Sequence, residues 1–385
     1  QTQPGWTANP VLQINGSGTG GDCLTLSAGT SVLRGWVINR CPGAGLSISG
    51  GSAHVVQGNW IGLDSSGTAS STAGGTFANA IYLVNSTGVT IGGSTSAQRN
   101  VLSGTLYAGI YIGSNTTALT VQGNHIGTDA AGTAAVGNAV GGIRWASTIS
   151  GTSGIVVSGN LISGNTGDGV RVTASGATIG GLTAAAANVI SSNSGRGVSV
   201  SSAASGVAVL RNSIHGNGNL GIDLGADGAT ANDGAKTSGA ANQLIDFPVF
   251  TGARSRGNLL TVDGYVGSAA GQAAFAGSRV DIFASDNDSS GYGEGKTWLG
   301  TLTADASGNF SGTLTMPVAT LTLGTRLTAT ATDGSSNTSE FGPQYTNLLV
   351  DFVVNSNLDE VDSAIGDGQC LTASGVCTLR AAIAE

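Results

Sequence analysis

Short apolar runs recur through the first 225 or so residues, and each shows the same inner pattern. A triplet of the form Asn-x-Ile appears as Asn59-Trp60-Ile61, Asn100-Val101-Leu102, Asn124-His125-Ile126, Asn160-Leu161-Ile162, Asn188-Val189-Ile190 and Asn212-Ser213-Ile214. Trp36-Val37-Ile38 is an earlier copy with Trp in place of Asn. From Asn59 onward the copies are 41, 24, 36, 28 and 24 residues apart. A second run of the form Gly-apolar-x-apolar follows each triplet, as in Gly109-Ile110-Tyr111-Ile112 and Gly169-Val170-Arg171-Val172. A third, such as Leu119-Thr120-Val121 or Ala177-Thr178-Ile179, precedes the next Asn. Three alternating runs per period predict three short strands per turn of a parallel β coil. Equivalent positions then stack about 4.8 Å apart.

The register assigns roles. The column Ile38, Ile61, Leu102, Ile126, Ile162, Ile190 and Ile214 is core. Asn lies two residues earlier, so Asn59, Asn100, Asn124, Asn160, Asn188 and Asn212 are expected to point inward at a corner. There their amides can bond to one another and to turn backbone. The second runs align an outward row: Ser47, Tyr82, Tyr111, Arg144, Arg171, Ser199 and Asp223. Its aromatic and guanidinium groups, Tyr82, Tyr111, Arg144 and Arg171, form a candidate glycan-binding face. A solvated ladder with a stacked Tyr pair is the plainer reading of the same row.

With the rungs aligned, the sequence resembles the right-handed parallel β-helix repeats of secreted bacterial proteins, the fold shared with pectate lyases. The resemblance covers about residues 10–225 and includes two equivalent insertions, Ile61-Gly62-Leu63-Asp64 and Ile126-Gly127-Thr128-Asp129. It implies an all-β chain with the parallel β-helix over 1–243. From Leu244 the period-2 runs continue without the Asn signature, among them Arg279-Val280-Asp281-Ile282-Phe283 and Arg326-Leu327-Thr328-Ala329-Thr330-Ala331. About seven strands in some 100 residues predict an immunoglobulin-like β-sandwich over 244–346. The remainder, with Gly366-Asp367-Gly368-Gln369-Cys370 and Cys377-Thr378-Leu379-Arg380-Ala381-Ala382-Ile383, resembles the domain named after the letters CSLREA. That resemblance implies a truncated cap segment over 347–385. In that family the element comes before a β-helix, whereas here it comes last. Gln1-Thr2-Gln3-Pro4-Gly5-Trp6 also starts abruptly. One period of a longer array, cut out of phase, accounts for both, and so does a truncated piece. The array reading makes a copy of the chain, bound head-to-tail, the expected partner.

Composition narrows the chemistry. Gly reaches 65 residues with only 6 Pro and no three-residue period, which excludes collagen. Charged residues are 9% and apolar residues 40%, so charge-driven disorder is excluded. Fourteen basic against 22 acidic residues make nucleic acid a poor partner. No apolar run approaches the roughly 18 residues of a membrane helix. Cys23 with Cys41, and Cys370 with Cys377, form two local pairs without zinc-site spacing. Two disulfides imply an oxidising compartment, and four buried thiols are the alternative. The resemblance to secreted bacterial proteins implies an extracellular or cell-surface setting in a bacterium.

Catalysis is poorly provided for. The repeats contain no Glu, and Asp22, Asp64, Asp129, Asp168 and Asp223 are scattered. Glycoside hydrolysis needs paired carboxylates. His125 is expected to point outward beside the ladder, and His54 and His215 lie near turns. Asp286, Asp288 and Ser290 form the one oxygen-rich loop with the look of a calcium site, but Thr297 stands where an EF-hand has its twelfth-position Glu. Asp223, Asp227 and Asp233 are a second calcium candidate, and no other cofactor is implied. The expected function is therefore a structural or adhesive extracellular protein, a repeat or subunit of a surface fibre. A polysaccharide lyase or glycoside hydrolase is the alternative.

Overall fold

A computed structural model of the chain describes residues 9–10, 12–17, 20–71, 77–201, 203–317, 321–352, 354–367 and 369–384. The expected abrupt start at Gln1–Trp6 lies outside the described residues, as do Gly368 and Glu385 of the expected cap. The chain divides into two compact units. The first comprises 1–230, 237–244 and 335–339, and the second comprises 231–236, 245–334 and 340–385. This division differs in detail from boundaries at 243 and 346.

The first unit is a parallel β-helix. Its three parallel sheets hold eight, eight and seven strands. The first sheet contains the Asn-x-Ile triplets, and registers such as Trp60↔Val101, Val101↔His125 and Leu161↔Val189 align them as the sequence period requires. An additional rung precedes them: Leu12–Asn15 pairs with Trp36–Asn39. The Ile column from Ile38 to Ile214 is sealed from water, at 0–1% exposure. In the second sheet a small-residue column, Gly45, Ala80, Gly109, Gly142, Gly169 and Gly197, faces this core. A Cβ on Gly169 would stand 2.6 Å from Ile190 Cγ2 and 2.8 Å from the Gly197 carbonyl. At Gly169 only glycine admits so close an approach of the two sheets.

The corner between third and first sheets is an amide ladder. Each Asn donates its Nδ2 hydrogen to the Oδ1 of the next, from Asn59 through Asn100, Asn124, Asn160 and Asn188 to Asn212, at 2.8–3.0 Å. The backbone N–H of each donor residue bonds to the same Oδ1. A second ladder, not read from the sequence, occupies the corner between first and second sheets. It runs Asn138, Asn165, Asn193, Asn217 at 2.8–3.0 Å. Its sequence signal is an Asn five residues after the first in the compact rungs: Asn160 with Asn165, Asn188 with Asn193, Asn212 with Asn217.

The two ends of the helix differ. At the last rung, Asn242 Oδ1 accepts from the Val207 N–H and Thr338 Oγ1 accepts from the Val209 N–H, so this edge is covered. At the first rung, Leu12–Asn15, Leu24–Leu26 and Val32–Arg34 are all sheet edges among the described residues. Leu12, Ile14, Leu24 and Leu26 are only half-buried, although their neighbours one rung on, Ile38, Leu46 and Ile48, are fully buried.

The second unit pairs antiparallel strands in two sheets. Pro248–Arg256, Leu259–Val266 and Asn309–Thr315 form one with Leu349–Asp351, and Arg279–Ser285, Gly295–Thr303 and Leu327–Thr332 form the other. They share a core that includes Val262, Ile282, Leu299, Phe310 and Leu327. Leu349–Asp351, expected within the cap segment, instead adds to the sandwich, parallel to Arg254–Arg256. The rest of the segment is held by the Cys370–Cys377 disulfide, by Asp362 accepting from the Ala364 and Leu371 amides, and by a short helix, Leu379–Ala384.

Candidate functional site

Strand alternation turns every second side chain outward, so each sheet of the helix has one face that meets the surroundings. On the first sheet that face is already occupied. The two insertions fold back as hairpins, bridged at Leu63↔Ser70 and Thr128↔Ala135. Val37, Trp60, Leu63 and Val101 pack with Ala130 and Val136 into a small core beneath them. Asp64 and Asp129 close the hairpins. Asp64 accepts from the Ser66 hydroxyl and the Thr68 amide, and the Ser66 bond chiefly lowers its pKa. Burial works to raise the Asp129 pKa, but the Ala134 and Thr133 amides outweigh it and the net shift is downward.

His125 is on this outer face but is not a surface residue. The second hairpin covers it, and a Cβ on Gly132 would stand 2.6 Å from its Cε1. Burial, with the Arg99 cation adding, depresses its pKa to about 4. His54 is fully buried and accepts from the Ser31 amide.

On the second sheet the row read from the sequence is half-buried at Tyr82, Tyr111, Arg144 and Arg171, whereas Ser47, Ser199 and Asp223 on the same row are buried, at 5%, 2% and 1% exposure. Ser47, Tyr82, Tyr111, Arg144, Arg171, Ser199 and Asp223 are consecutive register partners, and Thr25 adds a further place at the start. Tyr82 and Tyr111 stack with ring centres 5.5 Å apart and planes 10° apart. Tyr107, from the loop before Tyr111, leans on the second ring at 5.7 Å and lies under the Arg144 guanidinium at 5.6 Å. Burial raises the Tyr111 pKa, and Tyr107 and Tyr82 add to it, so the phenol remains a neutral donor.

The far end of the row is occupied by internal ion pairs. Arg196 Nε donates to Asp223 Oδ2 at 2.5 Å, and its Nη1 lies 3.7 Å from Asp168 Oδ1. Ser199 Oγ donates to Asp168 Oδ2. Asp22 accepts from the Ala44 amide. Each repeat acid named in the sequence reading is thus engaged in holding a turn or an ion pair, and each acts there as an acceptor. A hydrolase needs one carboxyl free to donate a proton to the leaving group.

Asp288, Ser290, Asp223 and Asp233, named as metal candidates, each hold contacts within the chain. Asp288 Oδ1 accepts from the Ser290 amide in a turn, and Ser290 Oγ donates to the Tyr292 carbonyl. Asp223 is taken up by Arg196, and Asp233 Oδ1 accepts from the Ala235 amide. Among the described residues no three His, Cys, Asp or Glu side chains gather to hold an ion. Cys23 with Cys41 and Cys370 with Cys377 are disulfides, and no cysteine is free among the described residues. No helix of the described residues is long and apolar enough to cross a membrane.

Residues 75–233 match the family model described as a right-handed beta helix region. The chain is also similar to the crystal structure of Dettilon tailspike protein, at 14% identity and a TM-score of 0.35. That likeness covers 86% of this chain and 66% of that one.

Proposed function

We propose that the protein is an extracellular structural or adhesive component of a bacterial surface, and that copies of it join head-to-tail. The carrying observation is the first rung. Among the described residues its three strands are sheet edges, and Leu12, Ile14, Leu24 and Leu26 are half-buried. Fully burying side chains of this kind contributes about 1.5–3 kcal/mol each, and unpaired strand edges favour addition of another chain. A second observation suits the other side of such a joint. Of fifteen exposed large apolar side chains among the described residues, eight fall between Leu349 and Ile383.

On this reading the two-sheet unit is an immunoglobulin-like spacer and the 347–385 segment is the cap for the next copy. The two disulfides favour an oxidising setting. Sedimentation velocity and negative-stain microscopy of the full chain test the proposal. Concentration-dependent linear assembly is expected, weakened by Val32→Lys at the edge rung or by Ile365→Asp with Ile383→Asp. A 37.5 kDa monomer at every concentration overturns it. Release of unsaturated uronides from a polysaccharide would return the enzymatic alternative to first place.

A further inference from the structure

We infer that Arg144 and Arg171 form a recognition site for the anionic groups of an acidic polysaccharide, with the neighbouring tyrosines as its sugar-ring platform. The two arginines are register partners on adjacent strands and are both half-buried. Like charges placed opposite one another in a sheet are destabilising. Four other guanidiniums are answered by a carboxylate, Arg196 with Asp223, Arg254 with Asp351, Arg279 with Asp281 and Arg380 with Asp359, while Arg40, Arg99, Arg211 and Arg326 donate to neutral oxygens. Among the described residues Arg144 and Arg171 have no carboxylate partner. Arg144 Nε is buried without a hydrogen-bond partner, and the guanidinium is met only by the Tyr107 ring beneath it. Asp168, three residues before Arg171 on its own strand, is already held by Arg196 and Ser199.

An anion bridging the two guanidiniums removes the repulsion and uses their planar donor forks. The stacked Tyr82 and Tyr111 rings lie on the same face, two rungs and one rung before Arg144, and Tyr107 lies beside Tyr111. The row from Tyr82 to Arg171 spans three strand spacings, roughly 14 Å at about 4.8 Å each, which suits an extended chain of sugar rings lying across the rungs. A polymer of pyranose units bearing carboxylate or sulfate fits both halves of the row. The inference is independent of self-assembly, because a monomer presents the same row.

The test is binding of the full chain to three probes at low and high salt: polygalacturonate, dextran sulfate and unmodified dextran, with a short DNA duplex as a non-sugar polyanion. Binding of polygalacturonate, dextran sulfate or both is expected, with loss of at least tenfold in affinity in the Arg144→Gln/Arg171→Gln double variant and on raising salt. Which of the two binds identifies carboxylate or sulfate as the recognised group. An Arg211→Gln variant, altered in the bend between Ala208–Leu210 and Ser213–His215, is expected to bind as the parent does. Quenching of tyrosine fluorescence by the bound probe in the unaltered chain reads contact with the platform even if the double variant folds poorly. Equal binding by the double variant overturns the site. So does binding of unmodified dextran as tightly as the charged probes, Arg-dependent binding of DNA at equal strength, or no binding of either acidic polymer.

Discussion

Asn160 and Asn188 are joined twice through one oxygen: the Asn160 backbone N–H and its Nδ2 both donate to Asn188 Oδ1, each at 2.9 Å. The same double contact joins Asn124 to Asn160, so every inner member of the ladder serves as acceptor for one rung and donor to the next. Asn160→Ala leaves the buried Asn124 amides without their acceptor, and an unsatisfied buried donor costs about 1–3 kcal/mol. A loss of roughly 2–4 kcal/mol in chemical denaturation is expected. Asn160→Asp, which keeps the acceptor and loses the donors, should also destabilise the chain. A midpoint unchanged by either substitution would show that the ladder is decoration on a helix held by its Ile column.

Acid should weaken the hairpin that covers His125. Its folded pKa of about 4 lies below the ordinary 6.5, so between these values the unfolded chain binds a proton that the folded chain refuses. The contribution of the neutral imidazole is complete above pH 6.5. It declines as pH falls toward 4 and changes no further below that. Denaturation midpoints taken across this window should slope for the parent chain and slope less for His125→Leu. Identical slopes in the two would remove His125 from the account.

The glycine column makes a steric prediction. Gly169→Ala puts a methyl 2.6 Å from Ile190 Cγ2 and against the Gly197 carbonyl oxygen, which cannot rotate away. Overpacking of this kind costs about 1–3 kcal/mol. Thermal melts should show the loss for Gly169→Ala, while Gly176→Ala, whose added Cβ meets nothing, should lose only what its positive φ of 74° imposes.

Reduction should act on the start of the helix first. The Cys23–Cys41 disulfide closes a separation of 18 residues, for which chain entropy predicts about 3 kcal/mol. The Cys23→Ala/Cys41→Ala variant should show earlier hydrogen exchange in Leu24–Leu26 and Trp36–Asn39 than in rungs beyond Asn100. Uniform exchange along all rungs would contradict this.

Much of this protein is legible in the residue pattern alone, because a stacked coil converts period directly into position. Asn at one corner, Ile in the core and the row from Tyr82 to Arg171 all follow once the rungs are aligned, since alternation decides in from out and stacking decides who is neighbour to whom. The second Asn ladder carried a signal at five-residue spacing, but the insertion after Ile126 moves its first member to Asn138 and hides the period. Other features were beyond local pattern. That Trp60 and His125 point outward follows from alternation; that hairpins cover them depends on where two insertions fold back. Arg196 gathers Asp168 and Asp223 from separate rungs, and Leu349–Asp351 leaves its own segment to pair with Arg254–Arg256. The sequence by itself determined the coil, its register and which side chains share a face. Only the tertiary structure decided which faces stay open and which charges are already spoken for, because those depend on contacts between segments that no repeat period links.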